Sequence, residues 1–261
     1  MINVKFIQSL LLVGFAAALP FQIGCKAALE PPRQAAPALM SWRVAAAHLE
    51  DVFERIPESS IDAFRENIPE EDRLRVNAAN GEAGLKDDRA YVYGEPSPRA
   101  TDQMLAHCGV NEKDVLYDCG CGRGFFLMQA LLSTPIRRAK GVELATSRVE
   151  IGRKALGILV ENHLLPPGKV LELQDQDMTK ADLADATLVY LDSVFFSDEL
   201  LTTMARNMSR AKGLRKVVMV MKGLPPNPWF ELESTEKLKM SWSPRFGSDV
   251  LYYRRTAAPA G

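Results

Sequence analysis

The chain has 261 residues, 47% hydrophobic and 25% charged, with 32 basic side chains against 33 acidic ones and a formal net charge of -1. That composition excludes collagen-like, fully disordered and disulfide-scaffold classes, and the balanced charge gives no support for nucleic-acid binding. The length suits one large α/β domain with an appendage better than two equal domains.

The first feature in chain order is an apolar run over 6–24, flanked by Lys5 and Lys26, with no acid before Glu30. It is about long enough to span a bilayer and also has the layout of a cleavable targeting peptide. A signal peptide, a membrane anchor, a mis-called start codon and an ordinary buried helix all stay open, so localisation is not fixed. Pro31, Pro32 and Pro37 among alanines make 27–40 a stiff linker. Trp42, Ala45, Leu49, Val52, Phe53 and Ile56 then recur at helical spacing from Ser41 until Pro57. A shorter helical stretch is expected over 61–67, and the polar, Gly-containing segment 69–88 predicts a loop. Residues 41–90 therefore form a helical extension ahead of a domain over 91–256, with a short tail at 257–261.

Beyond residue 90 the pattern changes to strands alternating with helices. Short apolar runs at 115–118, 139–143, 170–173, 186–192 and 216–222 predict strands, and Ser97-Pro98 starts a helix that ends at Gly109. Two further runs, 238–243 and 249–255, lie on either side of a turn at 244–248 and predict a terminal antiparallel hairpin. The expected fold is α/β, a Rossmann-like, mostly parallel seven-stranded sheet with ligands at the carboxyl ends of its strands. A terminal antiparallel pair on such a sheet is the arrangement of class I methyltransferases.

The richest motif is Val115-Leu-Tyr-Asp118-Cys-Gly120-Cys-Gly122-Arg-Gly124. Glycines at alternate positions after a strand permit a sharp turn and close approach of a flat ligand. The spacing is not the Gly-x-Gly-x-x-Gly of dinucleotide folds, and Asp118 would repel a diphosphate while suiting the ammonium of a methionine moiety. Glu143 ends the next strand, where an acid accepts from both ribose hydroxyls. Asp177 follows the third strand and can accept from an adenine amino group, with Met178 packing on the ring. Together these residues point to S-adenosylmethionine. Cys119 and Cys121 have only one residue between them and no nearby ligand pair, so no metal site is expected.

Two further segments narrow the family. Tyr91-Val-Tyr93-Gly94-Glu95-Pro96 precedes the core, and Ser241-Trp242-Ser243 is followed by Asp249-Val-Leu-Tyr252-Tyr253. With the motifs above, these resemble the DOT-type (disruptor of telomeric silencing) lysine methyltransferases, which act on histone H3 in nucleosomes. The resemblance covers about 91–255, in patches. It implies that Tyr93, Gly94 and Glu95 close over the methionine end of the cofactor, with Tyr93 also beside the reacting methyl group. It further implies that Phe196, Trp242, Tyr252 and Tyr253 wall a lysine channel, with Tyr253 reaching the reaction centre.

Where that family has an asparagine beside the methyl group, this chain has Asp192, in Leu191-Asp192-Ser-Val-Phe195-Phe196. The segment also resembles the Asp/Asn-x-x-aromatic motif of other amine methyltransferases, in which the first residue holds the acceptor nitrogen and the aromatic, here Phe195, flanks it. No histidine is placed as a general base. The implied partner is a protein substrate such as histone H3. The absence of a Lys/Arg-rich segment beside the core argues against phosphate contacts. A non-histone protein or small amine as acceptor, and a cofactor-binding module without catalysis, are the alternatives; the oligomeric state is not encoded.

Overall fold

Ser41 accepts from the backbone N–H of Val44 and so caps the first helix, α1 (Trp42–Glu54). The computed structural model describes residues 39–60, 69–82 and 93–256. The apolar run 6–24, most of the linker, the stretch 61–67, Tyr91 and the tail lie outside the described residues. Among the described residues no helix is long and apolar enough to cross a membrane.

The periodic residues Ala45, Leu49, Val52 and Phe53 are buried on one face of α1, as their spacing predicts. A 3-10 turn follows at Pro57–Ser59. The predicted loop over 69–88 is a helix, α2, at Glu70–Glu82, and 83–88 lie outside the described residues. Its apolar stripe is missing because, among its described side chains, the buried ones are Asp72 and Val76, so the periodicity that identifies α1 has no counterpart here. Its acidic first turn, Glu70, Glu71 and Asp72, instead complements the helix dipole.

Ser97 caps α3 (Pro98–His107) through the amide of Ala100, with proline in the first turn as the sequence implies. The chain then alternates through β1 (Val115–Cys119), α4 (Phe125–Ser133), β2 (Arg138–Glu143), α5 (Thr146–Glu161), β3 (Val170–Asp175), a 3-10 turn (Met178–Lys180), β4 (Leu188–Leu191), α6 (Asp198–Ser209) and β5 (Lys216–Val220). It ends with β6 (Phe230–Met240) and β7 (Ser243–Arg255). One seven-stranded sheet has the order β3-β2-β1-β4-β5-β7-β6. The first five strands are parallel, and β7 is antiparallel to both β5 and β6. This is the Rossmann-like class I methyltransferase fold, with the order reversing between β1 and β4, where a doubly wound sheet opens a crevice.

Side chains alternate across the sheet and divide the core. Leu116, Leu188, Tyr190, Val218 and Tyr252 pack with α1, α3, α4 and α5. Val115, Tyr117, Val189, Val217 and Tyr253 pack on the other face with α6.

The hairpin exists but turns elsewhere than expected. Met240 pairs with Ser243, so Ser241-Trp242 is the turn, while Leu238 pairs with Ser248. Residues 244–247 loop out of β7 opposite Lys239, with Gly247 at φ +73° and its carbonyl accepting from the Ser243 hydroxyl at 3.0 Å. The proline and glycine there make a bulge rather than the strand reversal. β6 begins eight residues before the predicted strand because it is the sheet edge, and its middle is polar on both faces.

Candidate active site

The carboxyl ends of β1, β2 and β4 carry three acids, Asp118, Glu143 and Asp192, in contrasting states. Glu143 is 7% exposed and accepts from three backbone amides. Its Oε2 accepts from Gly122 N at 2.9 Å, and its Oε1 from Leu144 N and Ala145 N, both at 2.9 Å. This acid thereby ties the glycine turn after β1 to the start of α5. The turn is further fixed by the amides of Gly120 and Cys121, which donate to the Val142 carbonyl at 2.8 and 3.1 Å.

Asp118 is the opposite case. It is 3% exposed, and its Oδ1 has no hydrogen-bond partner among the described residues. Burial first, and then the neighbouring Asp192, Glu143 and Glu95, push its carboxyl well above the usual carboxylate range. Asp118 is in register with Tyr190 on β4, so the two side chains share a sheet face. The Tyr190 hydroxyl is also buried without a partner, and burial, Asp192 and Asp118 raise its pKa. Two residues further on, Asp192 has a buried, unpartnered Oδ1. Burial raises its carboxyl to about 7 against the pull of a hydrogen bond from the Val194 backbone. An unsatisfied buried polar atom costs about 1–3 kcal/mol. Three in one place mark a site shaped for donors from outside the chain.

The floor of the site is open for lack of side chains. A Cβ on Gly120, at φ +98°, would lie 3.6 Å from the Met178 methyl and 3.8 Å from the Phe196 ring. A Cβ on Gly122, at φ +55°, would stand 2.2 Å from the Tyr93 ring. Met178 is aimed there because Asp177 caps the 3-10 turn, accepting from the amide and hydroxyl of Thr179 at 2.8 Å. These features fit an adenosyl group with a cationic tail: a cradle that lacks side chains, an apolar Met178 beside it and orphaned acids at one end.

Over the turn lies Tyr93, buried, with its hydroxyl on Glu95. Both Glu95 oxygens are held by Arg123, at 2.7 Å from Nε and 2.8 Å from Nη2. Arg123 also donates to the Ser59 carbonyl at 2.9 Å and lies 4.1 Å over the Phe53 ring. Burial works against its charge, but Glu95 outweighs that and the net shift is upward. Sequence reasoning missed both Arg123 and Tyr190. An arginine between two glycines of a buried turn demands an acid, and Tyr190 precedes Asp192 by one strand period; either observation would have found them.

The hairpin closes on the same loop. Gly94 has room only for hydrogen against the Trp242 ring, 2.7 Å from a Cβ built there. The hydroxyls of Ser241 and Ser97 bind the carbonyls of Glu95 and Lys239, both at 2.6 Å. On the β4 side, Ser193 binds the carbonyls of Val220 and Lys222 at 3.0 and 2.6 Å, and Lys222 reaches the Phe196 carbonyl at 2.6 Å. Phe195 and Phe196, both half-buried, lie in this segment between Asp192 and α6.

Tyr252 and Tyr253 cannot both wall one channel, because adjacent strand residues face opposite sides of the sheet. The structure does not bring Tyr252 to the site: it stacks on His107 at 3.8 Å between ring centroids and donates to Glu236. Tyr253 lies on the other face, where its hydroxyl accepts from Leu224 N at 3.1 Å and fills the space beside Gly223. It supports the loop after β5, in the cluster against which Phe196 and Met178 pack.

Comparison with known proteins bears on this geometry. A family model described as histone methylation protein DOT1 matches residues 85–238, more than half of the chain. A protein-lysine N-methyltransferase of Saccharolobus islandicus is 27% identical over 100 residues, 38% of this chain. The match spans 58% of that relative's length. Among solved structures, an RNA methyltransferase from Salinibacter ruber in complex with S-adenosylhomocysteine is 23% identical, with a TM-score of 0.48 over 65% of this chain and 98% of that one. A magnesium protoporphyrin IX methyltransferase from Synechocystis with bound S-adenosylmethionine is 11% identical, with a TM-score of 0.46 over 84% and 99%.

Proposed function

The chain belongs to the family of DOT1 histone methylation proteins, and from that membership we propose that it is an S-adenosylmethionine-dependent protein-lysine methyltransferase. The observation that carries this reading is the group of buried, unpartnered oxygens on Asp118, Tyr190 and Asp192 beside the open glycine turn. When bound, S-adenosylmethionine supplies an electrophilic methyl group on a cationic sulfur. Asp118 receives the cationic amino-acid end, Glu143 the ribose, and Asp177 with Met178 the adenine. Tyr93 and Glu95, held by Arg123, cover the methionine end. Trp242 and Phe196 flank the approach of the acceptor.

Asp192 holds the acceptor nitrogen. A carboxylate beside an ammonium stabilises the charged form, which opposes attack. Burial, which raises the Asp192 carboxyl to about 7 in the ligand-free chain, works against this and makes it a stronger proton acceptor than an exposed carboxylate as the nitrogen closes on the methyl group. The remaining work is positioning and exclusion of water, since the methyl donor is already activated.

The test incubates the full chain with methyl-labelled S-adenosylmethionine and, in parallel, recombinant nucleosomes, free histone H3 and a total lysate with its membranes. Mass spectrometry then locates the label. Methyl-lysine in a protein is the expected result, and histone H3 is the first acceptor to examine. Label confined to small amines, or no transfer to any of them, overturns the lysine assignment.

A further inference from the structure

Helix α5 starts without a cap of its own, since Ala145 stands at its N-cap and has no side-chain acceptor. The amides of residues 144–147 nevertheless all donate to carboxylates. Leu144 and Ala145 donate to Glu143, as described. Thr146 and Ser147 donate to Asp72, at 2.8 Å on Oδ1 and 3.1 Å on Oδ2, and the Ser147 hydroxyl joins them on Oδ2. Asp72 is on α2, 74 residues before Thr146, and is 2% exposed.

One turn further along α2, Arg75 pairs with Asp175 at the end of β3 at 2.7 Å and donates to the Thr146 hydroxyl. That hydroxyl donates to Asp175 at 2.8 Å. Helix α2 thus grips both the start of α5 and the end of β3, on either side of Glu143 and two residues before Asp177. A carboxylate this deeply buried on a polar helix is tolerable only because three donors hold it.

We propose that α2 is a latch on the nucleoside side of the cofactor pocket, with Asp72 a positioning residue for Glu143 and Arg75 one for the segment bearing Asp177 and Met178. The inference rests on the reading of Glu143 as the ribose-binding acid. Asp72 is held by the start of α5 and Arg75 by Asp175, so each acts through another residue. Without Asp72 the amides of Thr146 and Ser147 lose their acceptor, the first turn of α5 loosens, and the amides of Leu144 and Ala145 no longer align the Glu143 carboxylate.

Calorimetric titration of the full chain, well below its melting transition, tests this with two probes. They are S-adenosylhomocysteine and methylthioadenosine, the latter lacking the amino-acid end. Asp72→Asn should weaken both by the same factor, about tenfold, the size expected for the loss of one hydrogen bond's worth of positioning. Hydrogen exchange at the amides of 144–147 should quicken in the same variant. Arg75→Met should weaken both probes several-fold, and Arg75→Lys should restore them by keeping the charge on Asp175. Wild-type affinity in Asp72→Asn, with faster exchange at those amides, overturns the latch and leaves Asp72 a purely structural cap. Should Asp72→Asn fail to fold, wild-type affinity in Arg75→Met overturns it instead. If the wild-type chain binds neither probe, the cofactor reading falls and the latch with it.

Discussion

The nucleoside end and the acceptor end of the site use the same side chain, a carboxylate at a strand end, in opposite ways. At Glu143 three backbone amides take up the oxygens, so the acid is part of the scaffold before any ligand arrives. At Asp118 and Asp192 an oxygen is buried with nothing among the described residues to accept from, and burial raises the carboxyl pKa. A satisfied acid fixes the shape of a loop, whereas an unsatisfied one holds electrostatic free energy that a cationic ligand releases.

The largest effect expected from this contrast is at Asp118. Asp118→Asn should cost S-adenosylhomocysteine about a hundredfold in affinity, the loss of roughly 3 kcal/mol from a hydrogen bond to a charged group. Methylthioadenosine, which has no ammonium, should bind nearly as before. Equal losses for both probes in calorimetry would break the division into two ends.

Glu143→Gln should instead act on scaffold and ligand together. Its amide group cannot accept from Gly122 and from Leu144 and Ala145 on both sides, so denaturant unfolding should show a loss of about 2 kcal/mol. Both probes should weaken. Unchanged stability would mean that the amide network is not what holds the turn.

Asp192→Asn should leave cofactor affinity intact and lower methyl transfer about tenfold, with loss of the rise in rate through pH 7. The same variant has a stability signature. With its pKa raised from 3.8 to about 7 on folding, Asp192 binds more protons in the folded chain than in the unfolded one between those values. Stability of the ligand-free chain therefore falls as pH rises through that window, by at most about 4 kcal/mol from this residue. In Asp192→Asn the slope should flatten, and identical pH profiles in thermal melts would remove Asp192 from the buried set.

The smallest effect belongs to the tyrosine pair. Tyr252→Phe loses only the bond to Glu236, about 1 kcal/mol of stability, with kcat and KM unchanged. A large change in kcat would return Tyr252 to the acceptor channel.

Local pattern decided much of this protein. The alternation of apolar runs and helical periods dictates the doubly wound sheet, Ser41 and Ser97 start their helices, and Asp118, Gly120, Gly122 and Glu143 stand at strand ends because that is where such a sheet exposes its loops. Period-two alternation also separates Tyr252 from Tyr253 without any coordinates, although the family resemblance pointed both at one channel. What local pattern could not decide depends on partners distant in sequence. Helix α2 has no apolar stripe because it is held by polar bonds to residues more than 70 positions away, and Arg123 is explained only by Glu95 and Ser59. The hairpin turn moved because Ser243 pairs with Met240 and leaves residues 244–247 as a bulge. Periodicity reports burial along one element, whereas these features are set by which groups of different elements must satisfy one another, and only the tertiary fold decides that.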